Sequence, residues 1–89
     1  MKRYKLIFKG RVQGVGFRYT ARILANQLNL TGSVRNLYNY DVECIIQGKE
    51  NAIDEFIEKL ENQRFIRVDH VEKYELKIVD DEDDFIITY

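Results

Sequence analysis

The most suggestive residues of this sequence cluster near the start of the chain. An alternating stretch ends in Gly10-Arg11-Val12-Gln13-Gly14-Val15-Gly16 and passes directly into a helical pattern, so a glycine-bearing loop delivers the backbone onto a helix N-terminus. That arrangement suits an anion. Successive loop amides can converge as a nest, and the first amides of a helix are unpaired and point the same way. Glycine takes positive φ without steric cost and lets the backbone approach a ligand closely. The side chains add to the case. A helix N-terminus carries partial positive charge and disfavours a cation by a few tenths of a kcal/mol up to about 1 kcal/mol. Yet Arg18 stands in the first turn and Arg22 one turn on, with no acidic residue from Phe17 to Leu28. A cation set against the dipole makes sense when an external anion is the missing partner, and an arginine fork can hold two phosphate oxygens at once. From these residues alone the competing reading is a solvated arginine beside an ordinary turn.

Other phosphate-handling patterns fail on inspection. No Gly-Lys-Ser/Thr exists to complete a P-loop, and Gly14-x-Gly16 is followed by Tyr19 where a dinucleotide fingerprint needs glycine. A thiol-based phosphatase needs its cysteine in the cradle, whereas the single cysteine, Cys44, falls on the apolar face of a strand pattern and is expected in the core. One cysteine and one histidine, His70, leave no disulfide framework and no multi-cysteine zinc site. The formal net charge of −1 conceals an asymmetry: residues 1–45 hold eight Lys/Arg against Asp41 and Glu43, and residues 46–89 hold six against thirteen Asp/Glu. A basic segment within a near-neutral whole creates a local field for an anion, which again points to the first half.

Periodicity predicts the strands and helices around this loop. At 89 residues, 45% hydrophobic and 33% charged, the chain is expected to be one domain over 1–89 with one two-layer core. Residues 3–11 alternate, with Tyr4, Leu6 and Phe8 on one face, which predicts a half-buried strand. Phe17, Ala21, Leu24, Ala25 and Leu28 recur at helical spacing, and Gly32 follows within a turn. Residues 31–37 and 41–48 read as two strands about a turn at Tyr38–Asp41. From Glu50 to about Asn62, Ile53, Phe56, Ile57 and Leu60 form the stripe of a second helix. Residues 68–79, with Tyr74, Leu76 and Ile78 alternating, and 85–89 read as strands around an acidic run, Asp80 to Asp84, expected as a solvated turn. The order β-α-β-β-α-β plus a short terminal strand predicts an α+β, ferredoxin-like two-layer sandwich, an antiparallel sheet with both helices on one face.

With the elements in place, Gly10-Arg11-Val12-Gln13-Gly14-Val15-Gly16-Phe17-Arg18 resembles the signature loop of the acylphosphatases without a break. Gly32-Ser33-Val34-Arg35-Asn36, followed by Val42 and Gly48, is similar to that family's second signature. The resemblance spans the chain. It implies hydrolysis of the carboxylic–phosphoric anhydride of an acyl phosphate to carboxylate and inorganic phosphate, with no metal, no other cofactor and no covalent intermediate. It assigns Arg18 as the catalytic arginine and Asn36 as the catalytic asparagine, with the amides of Gln13, Gly14, Val15, Gly16 and Phe17 around the phosphoryl oxygens. Gln13 is expected to hold the loop's shape, and Arg11, Arg22 and Arg35 to be surface or field-shaping residues rather than direct ligands. Two positions depart from the family's habit. Ser33 stands where an aromatic ring is usual, and Tyr40 where the hairpin turn carries glycine. Either Tyr40 is forced to positive φ or Asn39 takes that role in a different turn.

Two rivals come from other classes. RNA-recognition domains share the element order but expose aromatics on the sheet, whereas Tyr4 and Phe8 face the core here, and Asp41 and Glu43 would repel phosphate. A catalytically silent anion-binding or regulatory module of the same family is the other. His70 is expected to be structural or exposed. No apolar run approaches the roughly 20 residues that span a bilayer, and the N-terminus lacks a secretory pattern. The expectation is a cytoplasmic monomer that binds acyl phosphate and inorganic phosphate, and neither nucleic acid nor membrane.

Overall fold

The computed structural model describes residues 1–89. Strand β1 (Lys2–Arg11) is followed by helix α1 (Phe17–Gln27), β2 (Thr31–Asn36), β3 (Val42–Gly48), α2 (Glu50–Glu61), β4 (Arg67–Leu76) and β5 (Phe85–Ile87). The sheet order is β4-β1-β3-β2-β5. The ferredoxin-like sandwich expected from the element order is therefore present, with one difference. The sheet is mixed, because β5 runs parallel to β2, pairing Gly32 with Phe85 and Val34 with Ile87. No helix is long and apolar enough to cross a membrane.

One face of the sheet makes the core. Leu6, Phe8, Val34, Val42, Cys44, Ile46 and Phe85 lie under Phe17, Ala21 and Leu24 of α1 and Ile53, Phe56 and Leu60 of α2. Burial pushes the Cys44 thiol far above its ordinary pKa, which leaves it without thiolate character. The α1 stop signal is Asn29 rather than Gly32. Asn29 takes φ 57, and Leu30 donates its amide to the Ala25 carbonyl at 2.8 Å, a Schellman closure with Leu30 buried against the core.

The alternation over 68–79 marks a real strand, but its apolar set faces away from the helices. Tyr74 pairs with Lys5 in register and stays half-exposed on the open face, while Lys73 on the helix side sits 4.3 Å from the centre of the Tyr4 ring. An edge strand with charge on both faces is protected against pairing with other chains.

Residues 77–84 carry the chain from one sheet edge to the other, and the acidic run within them is not uniformly solvated. Glu82 accepts two bonds from the Arg3 guanidinium, at 2.9 and 3.2 Å, and a third from the Thr31 hydroxyl at 2.8 Å. Gln47 grips the same strap by both its amide atoms, accepting from the Val79 amide at 3.0 Å and donating to its carbonyl at 2.9 Å. Asp80, Asp81, Asp83 and Asp84 are exposed as expected.

Burial alone would raise the Glu82 pKa, but the bonds from Arg3 and Thr31 outweigh it and hold the carboxyl below its usual range. A lowered folded-state value means stabilisation that is complete above the unfolded-state pKa and lost as the pH falls through the folded one. Glu82→Gln is therefore expected to lower stability by about 1 kcal/mol at neutral pH. In urea titrations the gap should close as the medium becomes more acidic than the carboxylate range, and a gap independent of pH would contradict the assignment.

Candidate active site

The loop between β1 and α1 is anchored in the core at both ends. Val12 and Phe17 are buried, and the Phe17 ring packs 4.9 Å from that of Phe8. Between these anchors Gly14 and Gly16 take φ 74 and 76, on either side of Val15, and none of the amides from Gln13 to Gly16 donates to a protein acceptor. Alternating left-handed residues turn successive amides to a common side, which forms a nest. Gly16 is also the N-cap of α1, with no side-chain cap and no acidic residue in the first turn, so the helix amides open toward the same space.

That space is a cleft of about 210 Å³ walled by Gly14, Gly16, Phe17, Arg18, Asn36 and Tyr89. The Arg18 guanidinium makes no ion pair and stands 5.0 Å from the centre of the Tyr89 ring. Asn36, at the exposed end of β2, spends its side-chain amide on no protein partner. The sheet order brings it there: β2 lies two strands from β1, and the helix that begins at the loop crosses above. The cleft wall contains no histidine, cysteine, aspartate or glutamate.

A second set of bonds fixes the loop against the β2–β3 turn. The Gln13 side-chain amide donates to the Leu37 and Asp41 carbonyls, both at 2.8 Å. Asp41 in turn accepts from the Lys9 ammonium at 2.7 Å and from the Asn39 side chain at 3.1 Å. The bond to Asp41 raises the pKa of Lys9 above its usual range. Leu37 directly follows Asn36, so Gln13 ties the phosphate-sized nest to the asparagine that faces it.

Of the residues singled out in the sequence, Gly14, Gly16, Phe17, Arg18 and Asn36 meet in one cleft. Gln13 serves the turn by its side chain, and Val15 packs partly into the core. Arg35 is paired with Glu43 at 3.1 Å, and His70 is exposed on β4. Tyr89 joins them from beyond the end of β5; periodicity predicts a terminal strand that includes it, and nothing local signals that it reaches Arg18. The acylphosphatase family model matches residues 4–87, nearly the whole chain. The chain belongs to the acylphosphatase family.

Among sequence relatives, the acylphosphatase of Clostridium beijerinckii is 41% identical over 90 residues, covering all of both chains. The crystal structure of acylphosphatase from Bacillus subtilis superposes with a TM-score of 0.92 at 37% identity, again over all of both chains. The crystal structure of T. kodakarensis HypF is similar over all of this chain but only 12% of its own, with a TM-score of 0.86 at 35% identity.

The two departures from the acylphosphatase habit resolve differently. Ser33 pairs with Ile45 and Ile86 in register and is not on the cleft wall. Tyr40 does take positive φ, at 72, while its side chain stays exposed; Asn39 instead braces the turn by accepting the Asp41 amide at 3.1 Å. A left-handed tyrosine costs about 1–2 kcal/mol relative to glycine, part of which the greater freedom of an unfolded glycine offsets. Tyr40→Gly is expected to raise the urea midpoint by the equivalent of about 0.5–1 kcal/mol, and a fall would show that the side chain contributes packing. Gln13→Ala, which frees both turn carbonyls, should lower stability by about 1–2 kcal/mol. If Gln13 also positions the loop, calorimetry will show phosphate affinity reduced several-fold, and unchanged affinity would confine it to a scaffold role.

Proposed function

We propose that this chain, a single acylphosphatase-like domain over 1–89, hydrolyses acyl phosphates to carboxylate and inorganic phosphate by direct attack of water, with no metal and no covalent intermediate. The observation that carries the reading is the convergence of unbonded loop amides, the unpaired Arg18 guanidinium and the free Asn36 amide on one small cleft. The amides of Gln13 to Phe17 and Arg18 hold the phosphoryl oxygens and stabilise the charge that they carry in the transition state, where preorganised donors are most effective. The Asn36 carbonyl oxygen accepts a hydrogen bond from water and aims its lone pair at phosphorus, but an amide cannot take the proton. The substrate phosphate receives it. An acyl carboxylate leaves readily without protonation, so a wall without histidine, aspartate or glutamate suits this chemistry.

The same reading makes the protein a cytoplasmic monomer that binds acyl phosphate and inorganic phosphate, with neither nucleic acid nor membrane as a partner. The aromatics Tyr4 and Phe8 are buried rather than displayed, which counts against base stacking on the sheet. Light scattering that gives a dimeric mass would count against the monomer.

The deciding experiment follows loss of benzoyl phosphate in EDTA. Arg18→Gln should abolish both turnover and phosphate binding, whereas Asn36→Ala should keep phosphate binding and lose on the order of 10²-fold or more in turnover. Near-wild-type turnover in both variants would refute the assignment. A folded wild type that binds phosphate without hydrolysis would be a silent anion-binding module instead.

A further inference from the structure

We propose that the arginine-lined groove beside the phosphate loop receives the acyl half of the substrate and favours acyl groups that carry a second negative charge. The inference rests on the phosphate seat and water position assigned above. In a phosphoryl transfer the attacking and leaving oxygens lie roughly in line, on opposite sides of phosphorus. Asn36 supplies the water from β2, and the sheet order sets β2 and β4 on opposite sides of β1 and its loop. The leaving carboxylate therefore departs toward the start of β4.

A groove of about 510 Å³ lies on that side. It shares Gly14 with the cleft and is otherwise lined by Arg11, Val15, Arg64, Phe65, Ile66 and Arg67. A Cβ at Gly14 would meet nothing within 4 Å, so the lip between the two spaces is open. Three guanidinium groups line the groove and no acidic residue does. Only Arg67 has an ion pair, with Asp69 at 3.1 Å; Arg11 and Arg64 have no carboxylate within 4.0 Å. Arg64 lies 5.4 Å from the centre of the Phe65 ring, whose exposed face offers an apolar floor. The two guanidinium groups left without a counter-charge, Arg11 and Arg64, match an anionic group at the far end of a short acyl chain, a carboxylate or a phosphate. The groove on the other flank, between Arg35, Leu37, Tyr38 and Tyr89, lies on the water side, and its arginine is already paired with Glu43.

The test compares kcat/KM for succinyl phosphate and acetyl phosphate at low ionic strength, for wild type and for Arg11→Gln/Arg64→Gln, with the inhibition constant of inorganic phosphate measured alongside. Both arginines are exposed, so the double variant is expected to fold. Wild type should prefer succinyl phosphate by about two- to fivefold, the scale of an exposed ion pair, and the ratio should fall toward one in the variant while phosphate inhibition stays within about twofold. A wild-type ratio of one or less, or a preference that survives both substitutions, overturns the groove assignment. A parallel loss of phosphate inhibition also overturns it, since the arginines would then belong to the phosphate seat. Hydrolysis of neither substrate by folded wild type would instead strike the hydrolase reading on which the inference stands.

Discussion

A backbone amide without an acceptor is costly wherever water cannot reach it, so a run of free amides from Gln13 to Gly16 can persist only in an open loop held rigid from outside. The rest of the site depends on how that holding is done. Val12 and Phe17 pin the loop's two ends into the core, and Gln13 bolts its middle to the turn after Asn36. The loop therefore keeps its donors free for an anion without the disorder that unbonded backbone invites. Arg18 follows from the same arrangement. Placed against the positive end of α1 with no acid nearby, it adds to a field already favourable to phosphate, and its neutralisation is left to the ligand.

The two ends of the sheet have separate duties. At one end β1, β2 and the β2–β3 turn surround the cleft. At the other, Arg3, Gln47 and Thr31 capture the acidic strap through Glu82 and the Val79 backbone. That strap lets β5 add in parallel beside β2, and β5 in turn carries Tyr89 to Arg18. A strap captured far from the cleft thus leads into the strand that carries one of its walls.

A strained residue and unpaired positive charge lie close to the cleft. Tyr40 sits in a left-handed conformation in the turn that Gln13 grips, and the unpaired arginines flank the loop on both sides. The open face of the sheet, by contrast, carries a short paired charge in Arg35 with Glu43, and Lys2 is paired with Glu75 at the far end of β1. Uncompensated positive charge near the loop, offset in the sum by unpaired acids such as Asp80, Asp81, Asp83 and Asp84 elsewhere, accounts for an anion-directed field in a chain whose net charge is only −1.

Local chemistry made much of this legible. The helix stripes at Phe17–Leu24 and Ile53–Leu60, the alternation of Tyr4, Leu6 and Phe8, and the glycine loop running into a cation-bearing helix are properties of neighbouring residues, and periodicity and backbone preference report such properties directly. Other features depend on residues far apart in the chain. Gly32 is the glycine that follows the α1 stripe, yet the helix stops at Asn29, where burial of Leu30 against the core accompanies the closing bond to Ala25. The face of β4 could not be read from Tyr74 and Leu76, because an edge strand buries little on either side. The capture of Glu82 by Arg3 spans 79 residues, and the approach of Tyr89 to Arg18 and the opposition of Asn36 to the groove of Arg11 and Arg64 likewise join distant segments. Residue types and local spacing mark the glycine loop, Arg18 and Asn36 as candidates for an anion site, but which of them meet depends on a sheet order set by the burial of one shared face and not by any local signal.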